Sequence, residues 1–345
     1  MPATIKDVAR LAKVSISTVS RVTNGAENVS PAVKKRVLKA VKALNYTPNV
    51  IARSLESRNS RNIAIVMGRV IEKAFANQSF LVLLNGIMQV LSEYDYTVVL
   101  TSDTDKTKEM EHCMRLVRSG AVQGVIVHGS FVNDPLIARL VEEDVPFVLS
   151  GYPPDFPDAD TTPFNLVSID AKESAREAVK YLLAQGHRNI GLVHAPLIRS
   201  VERCKYDGYV EAVTEAGLRV NHTIICEVGY ELSDTVAAVK NMLRLRRRPT
   251  AIFCTDDQYA IGALHAAAEM KIRVPEDLSV MGHNNHSVGE ISTPPLTTVD
   301  VSRAQMGRRA AQLLIDMLQD PSRKPQHLYL PTSLVVRQSV AAPNP

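Results

Sequence analysis

The chain has 345 residues, with 40 Lys and Arg against 36 Asp and Glu, a formal balance of +4, and 45% hydrophobic residues. That length predicts two or three compact units, each with its own core, and the near-neutral total excludes a chain that is basic throughout. It does not exclude a basic segment masked by an acidic remainder: residues 1–61 hold twelve Lys and Arg against Asp7, Glu27 and Glu56, so +9, and the other 284 residues carry −5.

A basic head on a mildly acidic body is the footprint of a polyanion-binding module joined to something else. A solvated helix face is the plainer alternative. The elements of the head favour the first reading. Thr4-Ile5-Lys6-Asp7 has the form of a capping box. Val8, Ala9, Leu11 and Ala12 then supply an apolar stripe that ends near Lys13-Val14. Ser15 caps a second short helix over 16–22, which stops at Asn24-Gly25. A third begins at Ser30-Pro31, a cap followed by proline in the first turn, with Val33, Val37, Leu38, Val41 and Leu44 on one face. Two short helices joined by a tight turn and backed by a third make a helix-turn-helix. The outward face of the second shows Ile16, Ser17, Ser20 and Arg21, short groups plus one long donor, as entry into a major groove requires.

The runs Thr4–Ala9, Val14–Val22, Asn45–Asn49 and Ile51–Leu55 together resemble the head of the lactose/galactose repressor family. The resemblance implies that Ile16 and Ser17, assisted by Arg21, read bases. It implies that Thr4, Ser20, Asn24, Ser30, Tyr46 and Asn49 anchor phosphates. Residues 49–61 correspond to a hinge, too short to be a stable helix alone. In the family such a segment becomes helical against its dimer mate in the minor groove, Leu55 being the wedge that kinks the duplex and Arg53 lying beside it. Glu56 departs from the pattern, and its carboxylate must turn away from phosphates or toward Arg53.

From Asn62 the texture changes to apolar runs alternating with amphipathic stretches. Strands are expected over 63–67, 97–100, 122–127 and 147–149, with helices over 81–94, 107–119 and 136–144 between them. Arg61-Asn62-Ile63-Ala64-Ile65-Val66 is echoed by Arg188-Asn189-Ile190-Gly191-Leu192-Val193, and the second copy is followed by a helix over 206–216, a strand over 251–254 and a helix over 258–270. Two βα-repeating halves predict two doubly wound lobes with a cleft at the carboxyl ends of their strands. The fold class is therefore α/β: a three-helix head plus a two-lobed core of parallel sheets.

Runs such as Gly186–Ile190, Arg248–Cys254, Val274–Val280 and Pro295–Val299 carry the same resemblance onward to about Val340. It implies a core similar to periplasmic sugar-binding proteins, crossed three times, near Phe164, Pro295 and His327. The organisation expected is a head at 1–48, a hinge at 49–61, one lobe at 62–164 with 295–327, and another at 165–294 with 328–340. The family binds its effector between the lobes, which implies Phe80, Arg199, Lys205, Asp256 and Asn284 as effector-binding positions. Lys205 stands where an arginine is usual, so a point donor replaces a planar fork. Asn284 stands where a carboxylate is usual, and Gly151 where some relatives have Asp; with 74–77 these resemble a maltose- and α-glucoside-responsive branch.

Each position also has a plainer reading. Phe80 can be lobe core, and Arg199 and Lys205 solvated loop charges. His283 near His286 suggests a metal but lacks a third ligand at metal spacing. Asp256-Asp257 could be paired catalytic carboxylates, or could open the helix that follows. No Gly-rich phosphate loop, Gly-x-Ser-x-Gly elbow or metal-spaced cluster supports an enzyme, and no cofactor is expected. The expectation is a regulator, a repressor of sugar utilisation, that binds a pseudo-palindromic duplex and a small-molecule effector as a homodimer. A metabolite-binding protein, or a sensor of a nucleoside or sugar phosphate, is the alternative. No heptad pattern follows the last strand, so a dimer and not a helix-tethered tetramer is expected. No apolar h-region opens the chain, and 80–91 is too short to span a bilayer. Four dispersed cysteines (Cys113, Cys204, Cys226, Cys254) read as reduced thiols in a cytoplasmic protein.

Overall fold

The computed structural model describes residues 3–23, 28–46, 60–67, 78–153 and 162–344. The chain divides into two units, Met1–Ser60 and Arg61–Pro345.

The first unit holds α1 (Ile5–Ala12), α2 (Ile16–Thr23) and α3 (Pro31–Ala43). Lys13, left-handed at φ 51°, ends α1 and turns the chain toward α2. Val8, Ala9, Ala12, Val19, Val22, Val37 and Ala40 form the core, with Val33, Val41, Leu44 and Tyr46 packed against it. Two expected core residues lie outside it: Leu11 is 52% and Leu38 48% exposed. Helical periodicity explains both. Successive residues are about 100° apart, so Leu11 and Leu38 fall about 60° beyond the arcs that bury their helices.

The second unit begins with β1 (Asn62–Met67), α4 (Gln78–Glu93), β2 (Thr97–Thr101), α5 (Lys106–Arg118), β3 (Gly124–His128), α6 (Pro135–Glu142) and β4 (Phe147–Ser150). It continues with β5 (Asn165–Ile169), α7 (Ala171–Ala184), β6 (Ile190–His194), α8 (Ser200–Glu215), β7 (Ile225–Glu227), α9 (Leu232–Leu243), β8 (Ala251–Cys254), α10 (Asp257–Glu269) and β9 (Ser279–Met281). α11 (Ser287–Glu290), β10 (Thr298–Asp300), α12 (Arg303–Gln319), β11 (His327–Leu330) and β12 (Ser333–Val335) complete it. Two parallel sheets result, ordered β11-β5-β4-β3-β1-β2 and β7-β6-β8-β9, with β10 and β12 as an antiparallel pair. Their inner strands are buried almost without alternation, as parallel sheets covered on both faces require.

The sequence echo has a structural meaning. Both copies open an inner strand of their sheet, and both asparagines tie down the loop that leads into the neighbouring strand. Asn62 Nδ2 donates to the Ala121 carbonyl (2.9 Å), and Asn189 Nδ2 to those of Arg247 and Arg248 (3.1 and 2.9 Å). Where β1 has Ala64, β6 has Gly191, because a Cβ there would lie 2.7 Å from Met242 Sδ on α9.

The crossings differ from expectation. β5 pairs with β4 and β11 with β5, so 165–169 and 327–330 both belong to the first sheet. Thr297, Val299 and Asp300 bond along the edge of the second lobe, and only then does α12 pack into the first-lobe core. The chain therefore changes lobe after Ile169, Asp300 and Leu330, in each case one strand later than Phe164, Pro295 and His327. Phe164 and Pro295 precede, and His327 opens, short strands whose sheet is chosen by tertiary pairing, which local pattern does not encode.

Candidate functional site

In the head, the hydroxyl and N–H of Thr4 both donate to Asp7 Oδ2 (2.6 and 3.0 Å), which holds that carboxyl below the usual carboxylate range. Ser15 caps α2 by accepting from the Thr18 N–H at 3.2 Å, and its hydroxyl also lies 2.9 Å from that of Ser17. Ile16, Ser17 and Arg21 are exposed along one side of α2, with Ser20 half-buried beside them. Ile16 is 45% exposed, an apolar group presented to solvent on an otherwise polar face. Thr4 and Ser30 are exposed, and Tyr46 packs its ring against the head core. Lys6, Arg10, Lys13, Arg21, Lys34, Lys35, Arg36, Lys39 and Lys42 are all exposed. Asn24, Asn49, Arg53 and Leu55, with Glu56, lie outside the described residues.

In the second unit, Phe80, Arg199, Lys205, Asp256 and Asn284 line one cleft. Phe80, on α4, belongs to the first-lobe core and also faces the cleft, its ring 6.0 Å from that of His128. Arg199 precedes α8, and Lys205 lies within it, buried and not on a solvated loop. The Arg199 guanidinium sits 5.5 Å from the centre of the Phe131 ring. Lys205 Nζ donates to the Thr255 carbonyl at 2.7 Å and faces Glu202 Oε1 at 3.6 Å. Burial pulls its ammonium below the ordinary lysine value, against the opposing pull of Glu202.

Asp256 serves two purposes: Oδ1 caps α10 through the Gln258 N–H (2.9 Å), and Oδ2 accepts from Asn284 Nδ2 (2.9 Å). Asn284, at φ 107°, also accepts from Arg303 Nη2 at 2.7 Å, so its amide links a carboxylate to a guanidinium. Asp257 is a scaffold group. It accepts from the Thr298 hydroxyl and the His286 N–H (both 2.6 Å), and burial raises its carboxyl above the usual range. His283 is buried against Ser174 (3.0 Å), which leaves its imidazole well below its ordinary value through burial. Among the described residues no group of three or more His, Cys, Asp or Glu could hold a metal ion.

The lobes touch beside the cleft. The Val132 N–H donates to the Ile198 carbonyl (2.9 Å), Ser200 N–H to Ser130 O (3.4 Å), and the Ser79 hydroxyl meets His286 Nε2. Sequence reasoning missed Ser150, Glu202 and Arg303, all of which line the cleft. Glu202 had a signal, its spacing of three from Lys205 on one helix; Arg303 had none.

Comparison with known proteins decides the family. Residues 4–49 match the model of bacterial regulatory proteins, lacI family, and residues 179–340 that of a periplasmic binding protein-like domain. The HTH-type transcriptional repressor PurR of Aliivibrio salmonicida (strain LFI1238) is 32% identical over 98% of this chain and 99% of its own. The chain belongs to the lacI family of bacterial regulatory proteins. It is a ligand-responsive, DNA-binding transcription regulator, and the relatives it matches are regulators as well. Among solved structures of the family, a transcriptional regulator CelR–cellobiose complex matches with a TM-score of 0.75 and 31% identity, covering 98% of this chain and 99% of that one. The lac repressor dimer bound to operator and the anti-inducer ONPF matches with a TM-score of 0.87 and 26% identity, covering 99% of this chain and 100% of that one. Among the described residues, no helix of this lacI-family chain is long and apolar enough to cross a membrane.

Proposed function

We propose that this chain is a dimeric repressor of sugar-utilisation genes. Two heads bind a pseudo-palindromic operator, and a sugar held between the lobes changes operator affinity by binding and not by turnover. In this reading Ile16, Ser17 and Arg21 contact base edges, while Thr4, Ser20, Ser30 and Tyr46 set the register on phosphates. Asn24, Asn49, Arg53 and Leu55 complete the duplex contacts, the last two in the minor groove. Phe80 supplies an apolar platform, and Arg199, Lys205, Asp256 and Asn284 supply donors and acceptors for hydroxyl groups.

The observation that carries the reading is the convergence of Phe80 from one lobe and Arg199, Lys205, Asp256 and Asn284 from the other on one cleft. A ligand that touches both lobes favours one arrangement of them over another, which is the differential affinity that allosteric control needs. The resemblance to an α-glucoside-responsive branch and the likeness to a cellobiose-bound relative both favour a glucoside.

The test is a thermal-shift screen of the full chain against mono- and disaccharides. A ligand at about 100 times its dissociation constant adds about 2.7 kcal/mol of stability, a readily detected shift. Stabilisation by a disaccharide that also changes operator affinity supports the reading, and no shift from any sugar contradicts it. The mass in solution is expected to be that of a dimer; a mainly tetrameric mass contradicts that part alone.

A further inference from the structure

The α8 wall of the cleft holds a cation whose counter-charge comes from within the protein. Lys205 is 2% exposed and Glu202, one helical turn earlier, 4% exposed, and both line the cleft. Glu202 is fixed in place on its other oxygen by the Thr255 hydroxyl (2.6 Å) and the Ala195 N–H (3.3 Å). A buried ammonium without such a partner must lose its proton or take an anion from a ligand. Here the charge is balanced before a ligand enters. Arg303 and Asp256 are joined through the neutral Asn284 amide at 2.7 and 2.9 Å.

On the first-lobe wall the unsatisfied group is uncharged. Ser150, at the end of β4, is fully buried and lines the cleft, and no group among the described residues bonds its hydroxyl. A buried hydroxyl left without a partner is costly, and a ligand oxygen relieves that cost. The adjoining wall is close-packed backbone: Gly151 lies at φ +150°, and a Cβ there would approach Gly129 Cα to 3.1 Å.

We propose that Glu202 is a specificity-determining residue that tunes this cleft to uncharged, polyhydroxylated ligands, with the Ser150 hydroxyl among the groups that read them. An anionic sugar would bring its charge toward the carboxylates of Glu202 and Asp256, while Lys205 has no charge left to answer. Arg199, over the Phe131 ring, is the group an anion would recruit instead, so measurement separates the two ligand classes. The inference rests on the sugar-sensing reading and narrows it.

The experiment titrates the full chain calorimetrically with maltose, cellobiose and trehalose, and with glucose 6-phosphate and trehalose 6-phosphate. Wild type is expected to bind at least one neutral disaccharide and to bind the phosphates at least tenfold more weakly. Glu202→Gln, which keeps shape but removes the charge, is expected to shift the neutral-to-phosphate affinity ratio at least tenfold toward phosphate. Ser150→Ala is expected to weaken the neutral sugar several-fold without that shift. Phosphate-first binding by wild type, or an unchanged ratio in Glu202→Gln, overturns the inference and leaves the sugar-sensing reading standing. Binding of no probe overturns both. If Glu202→Gln does not fold, the wild-type preference decides alone.

Discussion

The head and the cleft use the same cationic side chains in opposite ways. In the head, nine lysines and arginines from Lys6 to Lys42 stand in solvent, where their field reaches a polyanion and is screened by salt. In the cleft, Lys205 is buried against Glu202, and Arg303 is tied through Asn284 to Asp256. Exposed charge reaches a polyanion through solvent, whereas buried charge is answered within the protein. A net charge of +4 conceals both arrangements.

The contrast can be broken first at the buried pair. Lys205→Met leaves Glu202 buried without its counter-ion and is expected to cost about 3 kcal/mol in urea denaturation, the usual scale for breaking such a pair. A cost under about 0.5 kcal/mol would mean that the pair is effectively solvated. Next, Arg21→Ala is expected to weaken operator binding by about 1–3 kcal/mol and relax preference at the base it reads, in competition assays against altered duplexes. Uniform weakening across sequences would make Arg21 a phosphate anchor instead.

Acidification separates the units on a smaller scale. Residues 1–61 contain no histidine. In the second unit His283 and His187 are both held below the ordinary value by burial, the latter against an opposing bond to the Ala341 carbonyl. The unfolded chain therefore binds protons first, so this part of the stability is full above the unfolded histidine value and is lost as pH falls below it. The loss is at most about 1.4 kcal/mol per pH unit for each group, measurable in denaturation curves at pH 7.5 and 5.5. Stability that rises on acidification over that range would contradict it. The smallest effect is expected at a single exposed lysine of the head: Lys35→Ala should change stability by no more than about 0.5 kcal/mol and lower the salt slope of DNA binding by at most about 1.

Much of this was legible in the sequence where the determinants are local. Capping residues, short apolar stripes and the Ser30-Pro31 start marked the head, although Leu11 and Leu38 show that a stripe does not define its own edges. The echo at Arg61 and Arg188 announced two lobes, because each copy must place an asparagine under the next loop. The crossings were not legible, since 165–169 and 327–330 are apolar runs that either sheet could accept. The same holds within the cleft. Phe80 is core and lining at once, Lys205 lies within a helix, and Arg303 meets Asn284 only after the chain has changed lobe.

On the proposed reading, a salt-sensitive head is governed by a sugar-binding cleft. The most direct test is the affinity of the full chain for an operator selected from random duplexes, by fluorescence anisotropy, with and without a sugar that stabilises the protein. A loss of about 10³-fold or more is expected between 50 and 200 mM salt, with a change of about 5- to 150-fold on adding the sugar. Affinity that is flat in salt and indifferent to the sugar would contradict it.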